Sequence, residues 1–443
     1  MSVNAHYLTI KTISLLLFLT GIAETATAQL WTLQQCIDTA QVYNKNLQIG
    51  RNNIQLSDEK KQEARAHFLP KANFTADYRY YLNLPYQFMP MSVFNGPEGT
   101  YKEAQFGVPH NINAQLQLAL PLYNPQIRGG IRNTGIASQL SELQYQKTAE
   151  RIYFDITNLY YNAQVLLNQL TFIDSNLVNA TRLLKNTQLL KAQLLAKTTD
   201  VNKVALQTDQ LATQRETVNA RYIQILNTLK LNMGIPIEQN IDIEKFIAYP
   251  SAKDYTTTPV VDIKMAQTQQ LLIESEIKNL KALRLPTLSL YGTYGTTGFG
   301  YDKAPNDFLK FKPIGFAGVQ FTYPLFDGTI SKRKIIQKKL ELKNNELQLS
   351  LLNEQNNMQI VNARQQRLIS NQSVATHLKQ LQLAESIYEQ TFLQQKQGVA
   401  TLTDVLLADN DVRDTQQNYL SAVIDFLKAD LELKMLTGNI LNQ

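Results

Sequence analysis

Four segments of the chain alternate apolar and polar residues with period two. In the first, Ala72, Phe74, Ala76, Tyr78 and Tyr80 alternate with Asn73, Thr75, Asp77 and Arg79; in the second, Ile112, Ala114, Leu116, Leu118 and Leu120 alternate with Asn113, Gln115 and Gln117. The third sets Leu288, Leu290 and Tyr294 against Thr287, Ser289 and Thr293. The fourth sets Ala317, Val319, Phe321 and Tyr323 against Gly318, Gln320 and Thr322. One greasy and one wet face per segment predicts half-buried strands, at about 72–81, 111–122, 287–295 and 315–326.

A second periodicity fills most of what remains. No proline occurs between Pro125 and Pro236, and none follows Pro324. Over 126–196, Ile156, Leu159, Ala163, Leu166, Leu170, Ile173, Leu177, Ala180 and Leu184 keep the three-four spacing of a coiled-coil seam. Such a helix would be roughly 100 Å long at about 1.5 Å per residue. Thr198-Thr199-Asp200 then offers a turn and N-cap. A return helix over 201–233 carries Val204, Leu211, Val218 and Ile225 at sevens. The pattern recurs as a long helix over 330–395, a break at Gly398, a cap at Thr401 or Thr403, and a return helix over 404–437. That last helix has Val405, Val412, Tyr419, Phe426 and Leu433 at sevens.

The chain says this twice. Thr199-Asp200-Val201 recurs as Thr403-Asp404-Val405, Pro121-Leu122-Tyr123 as Pro324-Leu325-Phe326, and Leu231-Asn232-Met233-Gly234 as Met435-Leu436-Thr437-Gly438. Leu69-Pro70 matches Leu285-Pro286 at a larger offset, so the first copy carries the longer loop. A repeat of this length marks two pseudo-equivalent halves rather than a solenoid unit. The expected division is a leader over 1–28, a first repeat over 29–234, a linker over 235–258 able to form a belt, and a second repeat over 259–443. The fold class is mainly α with a membrane β-barrel, each half supplying a strand pair and a long coiled-coil helical hairpin.

The leader reads as a secretory signal. Lys11 precedes the apolar run from Ile13 to Ile22, and Ala26-Thr27-Ala28 supplies small residues before Gln29. In an exported chain, strands of about ten residues flanked by Tyr80, Tyr81, Tyr86, Tyr291, Phe299 and Tyr301 fit a transmembrane barrel. Lipid does not tolerate an open sheet, so four strands must close with copies of themselves. The smallest closed barrels leave little lumen, which makes three copies and twelve strands a natural solution. The connecting loops, Leu82 to His110 and Gly295 to Ile314, are polar, aromatic and proline-bearing, as suits the cell exterior.

Composition narrows the chemistry. Asn and Gln exceed a sixth of the 443 residues, which suits long polar helix faces rather than a thick core. Cys36 is the only cysteine, so an intrachain disulfide and a Cys-based metal site are excluded. Leu33-Gln34-Gln35 before it lacks the small residues of a lipid-anchor signal. The glycine-rich run from Gly292 to Gly300 lacks the Lys-Ser/Thr of a phosphate cradle and opens no helix. His67, His110 and His377 are scattered, with no metal-ligand spacing, activated nucleophile or carboxylate pair, so no cofactor and no enzymatic activity are expected. The net charge of +6 is modest. Its densest expression is Lys332-Arg333-Lys334, with Arg128 and Arg132 as repeat-equivalents. In an exported protein this cluster does not suggest nucleic acid; it is either a solvated helix face or a contact for anionic outer-membrane lipid.

Strands feeding directly into very long coiled coils, twice over, resemble the TolC family of outer-membrane efflux channels. Leu33-Gln34-Gln35-Cys36-Ile37, Asn44-Lys45-Asn46-Leu47 and the run from Ala64 to Pro70 look like that family's opening helix entering its first strand. Tyr323-Pro324-Leu325-Phe326-Asp327-Gly328, matched by Leu120-Pro121-Leu122-Tyr123-Asn124, looks like its strand-to-helix junction, and Gly398 to Val405 like its periplasmic tip turn. The resemblance implies a homotrimer with a twelve-stranded barrel continued by a periplasmic α-barrel. It implies a passive exit duct for efflux or type I secretion, engaged by a periplasmic adaptor and an inner-membrane pump of RND or ABC type. It also implies a gate at the tip formed by Thr199, Asp200, Gly398, Thr403 and Asp404. Asp404 matches the first of two acidic rings in the best-studied member. The second falls on Leu407, and the basic and aromatic partners of that member's latch fall on Ala400 and Gln395. A structural or adaptor coiled coil of the envelope without pore activity is the competing class; it has no use for duplicated amphipathic strands.

Overall fold

The computed structural model describes residues 30–105, 107–249, 254–301 and 310–441. The expected leader over 1–28, Pro250 of the linker and the middle of the second loop lie outside these. The described residues form two compact units, one within 51–144 and 262–352, the other within 30–50, 145–261 and 353–441.

The first unit is built on a four-stranded antiparallel sheet. Its strands are β2 (Lys71–Tyr80), β5 (His110–Tyr123), β7 (Thr287–Gly300) and β8 (Lys310–Thr322), in the order β2-β5-β7-β8. Register places like faces together. Phe74 pairs with Leu116, Leu116 with Tyr294, and Leu290 with Val319, so the alternating apolar residues of the four strands share one face, while Tyr291, Ile314 and Phe316 lie on the other. The shared apolar face is uncovered: Phe74 is 71 % exposed and Phe321 66 %. The other face carries a polar ladder, in which Thr297 Oγ1 donates to Asn113 Oδ1 at 3.0 Å and Asn113 Nδ2 to Asp77 at 3.4 Å.

Strand limits differ from the sequence reading in instructive ways. β7 continues to Gly300 rather than stopping near 295, because neighbours on both sides supply ladder hydrogen bonds to a glycine-rich stretch of low β-propensity. At Gly295 a Cβ would lie 2.2 Å from the Ala114 carbonyl oxygen, so only glycine permits that approach. β8 starts at Lys310 and ends at Thr322, releasing Tyr323-Pro324-Leu325-Phe326 from the sheet. The first loop, 82–110, contains a hairpin of its own, β3 (Tyr86–Pro90) with β4 (Tyr101–Gln105).

Helices enter and leave the sheet at one end of it. α2 (Lys45–Ala66) leads into β2, α3 (Pro125–Ala192) leaves β5, α5 (Val261–Ala282) leads into β7, and α6 (Ile330–Lys396) follows β8. α3 begins with proline at its first position, where a missing N–H costs nothing. Asn124 Oδ1 accepts from the amides of Gln126 at 3.0 Å and Ile127 at 3.3 Å. In the other half Asp327 accepts from the Thr329 and Ser331 amides, at 3.1 and 2.9 Å; a hydrogen bond from the Ser331 side chain, with those from the two amides, holds its carboxyl below the usual range.

The second unit contains the remaining helices: α1 (Leu33–Tyr43), the long middle and distal parts of α3 and α6, α4 (Thr198–Met233) and α7 (Leu402–Leu436). A two-stranded parallel bridge, β1 (Leu30–Trp31) with β6 (Asp242–Ile243), pins the linker beside α1. One core gathers Cys36, Ile37, Ala40, Leu47, Ile156, Tyr160, Leu229 and Met233. Cys36 is fully enclosed there, and burial pushes its thiol up to about 12, so it packs as a small apolar residue. Two glycines close the return helices with the same left-handed turn: Gly234 at φ 77° and Gly438 at φ 71°. A side chain at either would strike the preceding segment, at the Tyr43 carbonyl and the Thr258 hydroxyl respectively. No described helix is long and apolar enough to cross a membrane.

Candidate functional site

The gate residues expected from sequence fall on two turns of the second unit. α3 ends when Leu194 turns left-handed at φ 61°, its amide donating to Lys191 O at 2.9 Å and that of Leu195 to Leu190 O at 2.8 Å. α6 ends on the same device: Gly398 at φ 76°, its amide on Gln395 O at 3.0 Å and that of Val399 on Gln394 O at 2.9 Å. This stop cuts α3 short of residue 196. It also moves the next cap to Lys197, so Thr198 and Thr199 are already helical and do not cap.

The caps of the two return helices are unequal. The Thr401 amide and hydroxyl donate to the Asp404 carboxylate at 2.8 and 2.7 Å, and the Asp404 amide donates back to Thr401 Oγ1 at 3.2 Å. This is a complete reciprocal capping box with Thr401 at the cap, and Thr403 stands exposed inside the helix. The Thr401 bonds hold the Asp404 carboxyl below the usual carboxylate range. At the first turn the Lys197 amide donates to Asp200 at 3.2 Å, but a lysine side chain has no acceptor to return the bond. Asp404 and Leu407 are exposed, Asp200 is half-buried, and Thr199 and Gly398 lie open at the turns. The two turns meet through a small apolar plug in which Leu183, Val204 and Val405 are buried against Tyr388, Phe392 and Leu402.

Behind the tip, the seam of α7 contains polar residues that periodicity in apolar side chains alone did not single out. Asp409, Gln416 and Asp430 are buried, with Val423, on one line spaced by seven. Gln207 of α4 donates to Asp409, which Arg413 also contacts at 3.0 Å; desolvation nonetheless pushes the Asp409 carboxyl above its ordinary range. Asn176 of α3 donates to Gln416 at 2.8 Å. Farther along, Asp430 takes Arg367 Nε at 2.7 Å and the Tyr255 hydroxyl at 2.8 and 2.9 Å. The guanidinium of Arg367 also lies over the Tyr255 ring at 5.4 Å. The signal was present in the sequence, as polar residues at seven-residue spacing four places from the apolar line.

The basic residues Arg128, Arg132, Lys332, Arg333 and Lys334 occupy the first turns of α3 and α6 in the other unit, all exposed. Arg128 lies over the Tyr123 ring at 5.5 Å. Among the described residues no group of His, Cys, Asp and Glu could hold a metal ion.

An uncovered amphipathic sheet continued by duplicated helical hairpins defines the fold of the outer-membrane efflux channels. It superposes on the outer membrane protein VceC of Vibrio cholerae with a TM-score of 0.74, at 15% identity, over 92% of this chain and 96% of that one. The CmeC outer membrane channel of Campylobacter jejuni gives 0.71 at 14% identity, over 92% and 85%. In sequence, the chain is a homologue of the outer membrane protein TolC of Salmonella enteritidis, 22% identical over 441 residues that cover 94% of this chain and 84% of that protein. No family model matches it. All three are outer-membrane proteins or channels by name.

Proposed function

We propose that three copies of this chain form the outer-membrane exit duct of a tripartite efflux or type I secretion system, closed at its periplasmic tip. The observation that supports this most directly is the sheet. Its apolar face is exposed along all four strands, and β2 and β8 have no further partner among the described residues. In lipid those edges must be paired. Joining β8 of one copy to β2 of the next closes twelve strands in three steps and leaves the Asn113–Thr297 polar ladder facing an aqueous bore. Helices of 68 and 67 residues then supply walls on the order of 100 Å long. A duct of this kind has no energy source, so it requires an inner-membrane pump and a periplasmic adaptor to deliver cargo to the tip.

The test joins mass to conductance. Detergent-purified protein should have the mass of three chains and give discrete conductance steps in a planar bilayer. A stable monomer, or a trimer that never conducts, would overturn the proposal.

A further inference from the structure

We infer that the end of the sheet where strands pass into helices is a binding collar for anionic phospholipid, made of basic side chains set beside protruding apolar ones. The inference rests on the outer-membrane duct reading and names the partner of that surface. Antiparallel register brings all four strand–helix junctions to one end: Lys71 pairs with Ala119, and Thr287 with Thr322.

Each junction exposes an apolar residue: Leu69, Leu122, Leu285, and Leu325 with Phe326. Leu325 and Phe326 are 87 % and 83 % exposed, beyond the last rung of the sheet and covered by nothing within the unit. Within ten residues of these along the chain stand Arg128, Arg132, Arg284, Lys332, Arg333 and Lys334, all exposed. Among the described residues none of the six makes an ion pair within 4 Å. Lys338, one turn farther along α6, does: it is held by Glu276 at 2.9 Å and Glu341 at 2.6 Å. Close ion pairs therefore resume with Lys338, while at the collar itself Arg284 helps to hold the Asp327 carboxyl below the usual range.

Water alone accommodates surface cations, and in the closed assembly the next copy's β2 would cover part of Leu325 and Phe326, but neither serves the cations and the apolar residues together. A bilayer interface explains both. The apolar side chains enter the acyl boundary, while the cations meet phosphodiester head groups and the Tyr123 ring under Arg128 lies between. A soluble acidic protein would satisfy the cations and leave the apolar residues in water.

The test uses the full chain in bilayers of phosphatidylcholine alone or with phosphatidylglycerol, with thermal unfolding of the assembly as readout. Phosphatidylglycerol should raise the wild-type midpoint by several degrees. The gain should shrink at high salt, and inorganic phosphate should not reproduce it in detergent. Replacing Arg128, Arg132, Arg284, Lys332, Arg333 and Lys334 together by Gln should abolish the gain, with a much smaller change of the midpoint in neutral detergent, where Arg128 still loses the Tyr123 ring. A charge-keeping set, Arg128→Lys, Arg132→Lys, Lys332→Arg and Lys334→Arg, should retain it. Equal gains in the wild type and the Gln variant, or no wild-type gain, would overturn the collar while leaving the duct standing. If the Gln variant does not fold, the salt dependence of the wild-type gain decides: a gain indifferent to salt rejects the collar. Failure of the wild type to enter either bilayer would refute the duct and the collar with it.

Discussion

Removing one partner of the Arg367–Asp430 pair should be among the most damaging single changes in the helical unit. The side chains are 11 % and 3 % exposed, with Nε 2.7 Å from Oδ1, and Tyr255 holds both carboxylate oxygens. Among the described residues, Arg367→Met leaves the buried carboxylate with the Tyr255 hydroxyl and Lys434, 3.7 Å away and 30 % exposed. Breaking a buried pair in this way typically costs about 3–5 kcal/mol, whereas replacing both partners by apolar groups is often nearly neutral. Arg367→Met and Asp430→Leu should therefore each lower the urea midpoint of the helical circular-dichroism signal by an amount worth about 3 kcal/mol or more. The double variant should recover most of that loss. The neighbouring pair Arg364–Asp254, at 3.2 Å but 43 % and 60 % exposed, is the internal control, and Arg364→Gln should cost at most about 1 kcal/mol. Single losses below about 1 kcal/mol, or a double variant as unstable as the sum of the singles, would refute the assignment of Asp430 as a carboxylate whose burial depends on Arg367.

The two tip turns predict opposite responses to similar chemistry. Leu194 is left-handed and 93 % exposed, so Leu194→Gly should stabilise by roughly 0.5–1 kcal/mol, while Gly398→Ala should destabilise by about 1 kcal/mol, both read as shifts in thermal midpoint. Shifts of the same sign would contradict the turn geometry. Asp404→Asn keeps an acceptor for Thr401 but removes the charge; if three Asp404 carboxylates line the entrance, cation preference measured by reversal potential should fall with folding intact. Unchanged selectivity would reduce Asp404 to its capping role. That capping contribution is present above the ordinary carboxylate pKa near 3.9 and is lost as pH falls through the lower folded value. Asp409 has the opposite sign. Its folded pKa is raised, so stability falls as pH rises through the unfolded value, and Asp409→Asn should raise the thermal midpoint at pH 7 but not at pH 3. An equal effect at both pH values would show that ionisation is not the cause.

Much of this architecture could be read from residues because each layer repeats a simple period. Val204, Leu211 and Val218 at sevens, like Val405, Val412, Phe426 and Leu433, are buried as a coiled-coil seam requires. Illegible features were those in which backbone geometry, not side-chain type, decides. Nothing about Leu194 announces a left-handed residue, because leucine takes that conformation only where the surrounding turn imposes it. The first half therefore looked as if its helix ran to Ala196, whereas Gly398 marked the same stop openly in the second. Glycines hid the upper part of β7, since their low propensity is overridden by pairing on both sides. The bridge of Leu30-Trp31 to Asp242-Ile243 was invisible for another reason: two residues carry no period.

The polar residues in the α7 seam bear on a problem that long coiled coils create for themselves. An apolar line repeated every seven residues packs nearly as well after sliding by one heptad, so hydrophobic burial sets the face of each helix but hardly its register. Fixed contacts of a different kind are needed, and α7 has them at intervals. Gln207 of α4 meets Asp409, Asn176 of α3 meets Gln416, and Arg367 of α6 meets Asp430. A slide of one heptad would bring Gln416 toward Gln207, which could still be satisfied. It would also carry Asp430 away from Arg367 and leave a buried carboxylate without its cation. Register thus costs little to test at the tip and a great deal at the Arg367 end, which places the deciding contact where Tyr255 anchors the linker to the hairpin. An apolar replacement of the Arg367–Asp430 pair would preserve stability while removing that discrimination. It should therefore yield protein of normal thermal midpoint in which disulfide trapping between cysteines placed at positions 176 and 416 captures a smaller fraction of molecules than in the parent with the pair intact.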